Sequence, residues 1–91
     1  MKPKWKKQTS SNGRCYYACK IGKVEMLVTN EHRDHPGYWV GSCAPFFANV
    51  RMGSIAGGDA YARDAQEYVM AIVRFVAHGL ISAIDNVEVT A

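Results

Sequence analysis

Ninety-one residues, 48% of them apolar, set the size of one domain with a modest core and exclude wholesale disorder. The formal charge of +3 hides an asymmetry: residues 1–51 carry +6, from nine Lys/Arg against three acids, and residues 52–91 carry −3, from two against five. No uninterrupted apolar run approaches the ~20 residues of a membrane span, and no apolar stretch follows the basic start MKPKWKKQTSSNGR as it would in a secretory signal, so a cytoplasmic protein with no membrane partner is expected.

Residues 1–13 read as a flexible basic arm. Lys2, Lys4, Lys6 and Lys7 surround Trp5, and the run Gln-Thr-Ser-Ser-Asn-Gly ends in turn formers. Such an arm either lies along a polyanion, with Trp5 stacking on a base, or is pinned to the domain by Trp5 while its lysines stay solvated.

From residue 14 to residue 91 a single α+β domain is expected. Arg14–Ile21 and Val24–Thr29 form a β-hairpin about Gly22-Lys23, a two-residue loop that makes Ile21 and Val24 cross-strand partners. Alternation then places Cys15, Tyr17, Cys19 and Ile21 on one apolar face with Val24, Met26 and Val28. Arg14, Tyr16, Lys20, Lys23, Glu25 and Leu27 fall on the other. The polar stretch NEHRDHPG, which contains Arg33, is a loop closed by Pro-Gly. Tyr38–Cys43 is a third strand, and the pattern does not say whether Trp39 or its neighbours face inward. Pro45 ends that strand. Asn49–Ile55 is either a short fourth strand or an irregular crossing.

Asp59–His78 is the clearest element, an amphipathic helix. At about 100° per residue, Ala62, Ala65, Val69, Ile72, Val73, Val76 and Leu80 share a face opposite Arg63, Asp64, Glu67, Arg74 and His78. Asp59 after Gly57-Gly58 has the character of an N-cap, Arg63 and Glu67 are spaced as an i,i+4 pair, and Gly79 is placed to stop or kink the helix. Tyr61, Tyr68 and Phe75 recur every seven residues along one flank, making the apolar arc wider than a three-stranded sheet needs. The excess is covered by neighbouring segments or serves a partner, a second copy included. Leu80–Ala91 either extends the helix to about Ile84 or folds back, with Val87–Thr90 as a candidate edge strand. The expected fold is α+β: a three- or four-stranded antiparallel sheet packed on one long C-terminal amphipathic helix.

No residue pattern points to catalysis, a metal or a cofactor. Three cysteines without a secretory signal read as reduced thiols. Cys15 and Cys19, four apart on a strand, are roughly 13 Å apart, too far to share one zinc ion. His32-Arg33-Asp34-His35 and Ser42-Cys43 lack partners that would activate them. The protein is therefore expected to be non-enzymatic.

Two classes of function remain. The order of three antiparallel strands and one helix over residues 14–78 resembles the plant APETALA2-type domain and the arm-binding domains of phage integrases. That resemblance implies an exposed sheet face that enters DNA or meets RNA, with Arg14, Lys20 and Lys23 on phosphates, Tyr16 or Trp39 stacking, and Lys4, Trp5, Lys6 and Lys7 assisting; Arg33 in the loop is a further candidate contact. The chain as a whole, with its own Met and no linker, reads as complete. In its compact style it is similar to anti-CRISPR proteins, small single-domain proteins of phages and other mobile elements. That likeness implies a phage-encoded inhibitor in the host cytoplasm, acting as a monomer or homodimer. Its action would be to bind and block a host protein or ribonucleoprotein complex such as an RNA-guided nuclease. This second reading is the one favoured from the sequence.

Overall fold

The computed structural model describes residues 3–90, so Met1, Lys2 and Ala91, the two ends of the arm and tail read above, lie outside the described residues. Five antiparallel strands follow one another across a single sheet: β1 (Lys6–Thr9), β2 (Cys15–Ile21), β3 (Val24–Thr29), β4 (Tyr38–Cys43) and β5 (Phe47–Ala56). A short 3-10 turn, Asp59–Tyr61, leads into the helix α1 (Ala62–Asp85). The fold is α+β as expected, with one strand more than the upper estimate. The added strand comes from the second half of the arm, where Lys6–Thr9 pairs with Cys15–Ala18 of β2. A Lys-Lys-Gln-Thr run with no apolar residue of its own gives such an edge strand little signal in sequence, because its pairing rests on backbone hydrogen bonds.

The hairpin register is as the sequence implies. Ile21 faces Val24, Cys19 faces Met26 and Tyr17 faces Val28. Gly22 takes φ 63° at the first turn position, the sign that a primed two-residue hairpin turn requires there. Trp39, Gly41 and Cys43 of β4 point inward. Together Cys19, Met26, Val28, Trp39, Cys43 and Met52 form the sheet side of the core, and Ala65 and Val69 form the helix side. Gly41 is required at its place: a Cβ there would lie 2.9 Å from Met52 Cε and 3.2 Å from Val69 Cγ2, so the bare backbone lets the helix close over β4. β5 is the irregular strand. Asn49 and Gly53 adopt positive φ, and pairing with β4 shifts register twice.

Helix entry differs from the expected cap. Asp59 makes no side-chain cap hydrogen bond. Instead Asn30 Nδ2, at the end of β3, donates to Gly57 O (2.7 Å) and Asp59 Oδ1 (2.8 Å), tying the incoming chain to the sheet. Trp39 Nε1 donates to Gly58 O at 3.1 Å and Gly57 N to Gly37 O at 2.8 Å. Asn30 Nδ2, Trp39 Nε1 and Gly57 N thus tie the loop–helix junction to the sheet, and Gly58 O also accepts from Tyr61 N at 3.0 Å. Arg63 and Glu67 form the i,i+4 pair at 3.3 Å, both well exposed and so worth only a few tenths of a kcal/mol.

Gly79 neither stops nor kinks the helix, which runs through it to Asp85; a tight C-terminal turn at Val87 follows, and Val87–Thr90 is not a strand. At 1.5 Å per residue, α1 is about 36 Å long, whereas a six-residue strand spans about 20 Å. The helix packs mainly on β3, β4 and β5, and residues 78–90 are all exposed. By length and composition the stretch Asp59–Asp85 is apolar enough to cross a membrane, a feature that counting uninterrupted apolar runs does not register; its Ala65 and Val69 are buried against the sheet.

Candidate interaction face of the sheet

The helix covers one side of the sheet and leaves the other bare. On the bare side, register brings residues from distant parts of the sequence into rows. Lys6 of β1 stands opposite Ala18 of β2, which stands opposite Leu27 of β3, itself opposite Ser42 of β4. A second row runs Gln8, Tyr16, then Thr29, Val40 and Arg51. Lys20 is opposite Glu25. Alternation within each strand and the register between strands fix this arrangement, the latter including the two shifts between β4 and β5.

Within those rows, Pro3, Lys4, Lys6, Gln8, Ala18, Lys20 and Glu25 line an open groove. Three ammonium groups thus border one depression against a single carboxylate. Its apolar lining is Pro3 and the buried Ala18. Beside the groove, Tyr16 O–H donates to Gln8 Oε1 at 2.9 Å, fixing the phenol ring on the sheet surface. A further shallow depression is lined by Tyr16, Leu27, Thr29, Val40, Ser42 and Asn49, among others. At the far side Arg51 lies over the Tyr38 ring, 4.6 Å from its centroid, a cation–π pair worth about 0.5–1 kcal/mol at an exposed site. Cations at both flanks, aromatic and amide groups between them, and an apolar lining suit an extended polyanion bearing flat bases, or an acidic protein surface.

The candidate residues named from sequence divide sharply. Lys4, Lys6, Tyr16 and Lys20 come together on this face. Lys7 pairs with Tyr17 and so sits on the opposite side of β1. Arg14 and Lys23 occupy the two turns at either end of β2, and Arg33 is exposed in the loop before β4. Trp5 is half-buried and packs on the core, which agrees with the pinning role weighed for it. Trp39 is a correction: at 1% exposure it is a core residue with its indole N–H bonded to Gly58, so stacking on a partner is excluded for it. Gln8, Tyr38 and Arg51 were missed. Gln8 and Arg51 reach this face through cross-strand register, which the sequence alone does not supply for β1 or β5.

Of the cysteines, Cys43 is fully buried and Cys19 nearly so, while Cys15 is half-buried with its backbone N–H donating to the Glu31 carboxylate. Burial pushes the Cys43 thiol above its ordinary range. A thiol-reactive dye added to folded protein at mildly alkaline pH is expected to label Cys15 first, with Cys43 labelled only after denaturation; rapid labelling of Cys43 in the native state would contradict this packing. Among the described residues, no group of three His, Cys, Asp or Glu side chains is placed to hold a metal ion. No protein-family model, curated protein or solved structure gives a significant match to the chain.

Proposed function

We propose that this is a small non-enzymatic interaction protein that binds and blocks a host macromolecular complex through the bare face of its sheet. The observation that carries the reading is the convergence of Lys4, Lys6 and Lys20 around one groove on that face, beside Tyr16. A ribonucleoprotein is the partner this chemistry favours. Its phosphates suit the lysines, and unstacked RNA bases suit the tyrosine and the Arg51–Tyr38 pair. In this reading the protein is a phage-encoded, anti-CRISPR-like inhibitor that acts in the host cytoplasm by covering the guide RNA of an RNA-guided nuclease. The alternative, a sheet-based DNA- or RNA-binding domain with no blocking role, draws on the same residues and differs in tolerating duplex DNA equally well.

Fluorescence anisotropy with single-stranded RNA and with random duplex DNA, over a salt series, tests both. Binding that weakens steeply with salt is expected, and the Lys6→Glu/Lys20→Glu double variant is expected to bind RNA at least ~10-fold more weakly with a salt slope reduced by about 1–2. Arg63→Glu, on the solvent side of the helix, serves as the control and leaves affinity little changed. Preference for RNA over duplex DNA supports the inhibitor, and equal affinity supports the alternative. No binding at low salt removes nucleic acid as the partner.

A further inference from the structure

Beyond Ala77 the helix leaves the sheet with its apolar face uncovered. Leu80, Ile81 and Ile84 are 49%, 59% and 62% exposed. With Ala77 they occupy positions i, i+3, i+4 and i+7, one continuous face. We propose that this overhang pairs antiparallel with the same segment of a second copy, forming a two-fold dimer.

Two observations select a second copy. A two-fold contact requires that residue i meet j while j meets i. About a point between Leu80 and Ile81, this face meets that condition: Ala77 falls opposite Ile84, and Leu80 opposite Ile81, small against large and large against large. The charges along the segment are segregated as well. Arg74 lies before that point, and Asp85 and Glu88 lie after it. Antiparallel pairing brings the basic end of each copy to the acidic end of the other, whereas parallel pairing opposes like charges. An eight-residue face is short for the ~800 Å² per partner of a standard interface, so the dimer is a weak one, sensitive to concentration. A lipid surface fits less well. With two basic against five acidic residues in 52–91, the helix half is net negative and is repelled by anionic headgroups.

Sedimentation velocity of the full chain over a wide concentration range is the test. The wild type is expected to pass from one chain mass to two as concentration rises. Ile81→Asp/Ile84→Asp is expected to stay at one chain mass throughout, with its circular dichroism and melting curve preserved because both side chains face water. Arg74→Glu is expected to weaken dimerisation several-fold, and adding Asp85→Arg and Glu88→Arg to that variant is expected to restore it. A wild type that stays monomeric overturns the proposal, whether or not it floats with phosphatidylcholine vesicles. So does a dimer undiminished in the double aspartate variant, and failure of the charge exchange overturns the antiparallel register. None of these readouts involves nucleic acid, so their outcome is independent of the function proposed for the sheet.

Discussion

Trp39→Ala is expected to cost about 3–5 kcal/mol, a large share of the stability of a domain of this size. The indole is 1% exposed in the centre of the sheet side of the core, with the Tyr17 ring tilted against it at a centroid distance of 6.1 Å. Its removal leaves a cavity walled by strands that cannot collapse without breaking register. It also withdraws the indole N–H from Gly58 O, leaving that carbonyl to Tyr61 N alone, so a tie between core and helix entry is lost along with the packing. Trp39→Phe separates the two contributions. It refills much of the volume while omitting the hydrogen bond, for an expected loss of about 1–2 kcal/mol. Urea denaturation followed by far-ultraviolet circular dichroism gives both values. Trp5 remains in each variant as a fluorescent reporter at the sheet edge. A Trp39→Ala protein that unfolds at the wild-type urea midpoint would show that this ring does not hold the layers together.

The second large effect comes from one missing methyl group. In Gly57→Ala the new Cβ lies 2.8 Å from the Gly37 carbonyl carbon and 3.0 Å from both Gly37 O and Tyr38 N. All three are backbone atoms, so no rotamer change relieves the clash. The hydrogen bond from Gly57 N to Gly37 O is what holds the two segments so close, and moving them apart sacrifices it. A loss of about 2–3 kcal/mol is expected, with a fall in melting temperature on the order of 10 °C or more. Gly79→Ala supplies the contrast. Its Cβ meets nothing within 4 Å and sits in the interior of a helix, where alanine is favoured by about 1 kcal/mol, so the melting temperature is expected to rise. Equal effects from the two substitutions would mean that the junction at Gly37 is looser than its geometry.

The parts of this fold that could be read from sequence are those where two periodicities constrain each other. Alternation in Cys15–Ile21 and Val24–Thr29, joined by a two-residue turn, leaves a single register, and the structure has it. The 3.6-residue period fixes which side of the helix carries Ala65 and Val69. What could not be read lacks such a constraint. β1 has no buried alternation, because it is an edge strand exposed throughout. Trp39 and Tyr38 are both large aromatics, so alternation across β4 gives no preferred side. The choice is made by Gly41, whose open backbone admits Val69 only if Trp39 and Cys43 also face the helix. Gly79 misled for a different reason. Glycine ends helices when the chain needs a left-handed turn, but here an apolar run with strong helix formers continues past it.

The candidate face shows the same limit one level up. Lys20 and Tyr16 were readable as outward-facing because the hairpin was readable. Lys6 joins them only through pairing of β1, and Arg51 only through pairing of β5 after two register shifts. A surface assembled from five strands becomes visible only once every register is known.

An antiparallel meander has two open borders, and each is a template on which a foreign strand can grow. This chain guards them by different means. The β1 border is four residues long and begins Lys6-Lys7, so an approaching strand gains few hydrogen bonds and meets two positive charges. The β5 border is ten residues long, enough to seed a fibril, but the left-handed residues Asn49 and Gly53 interrupt its run of evenly spaced donors and acceptors. The irregularities that made β5 hard to recognise therefore also keep a largely β protein from polymerising through its own edge.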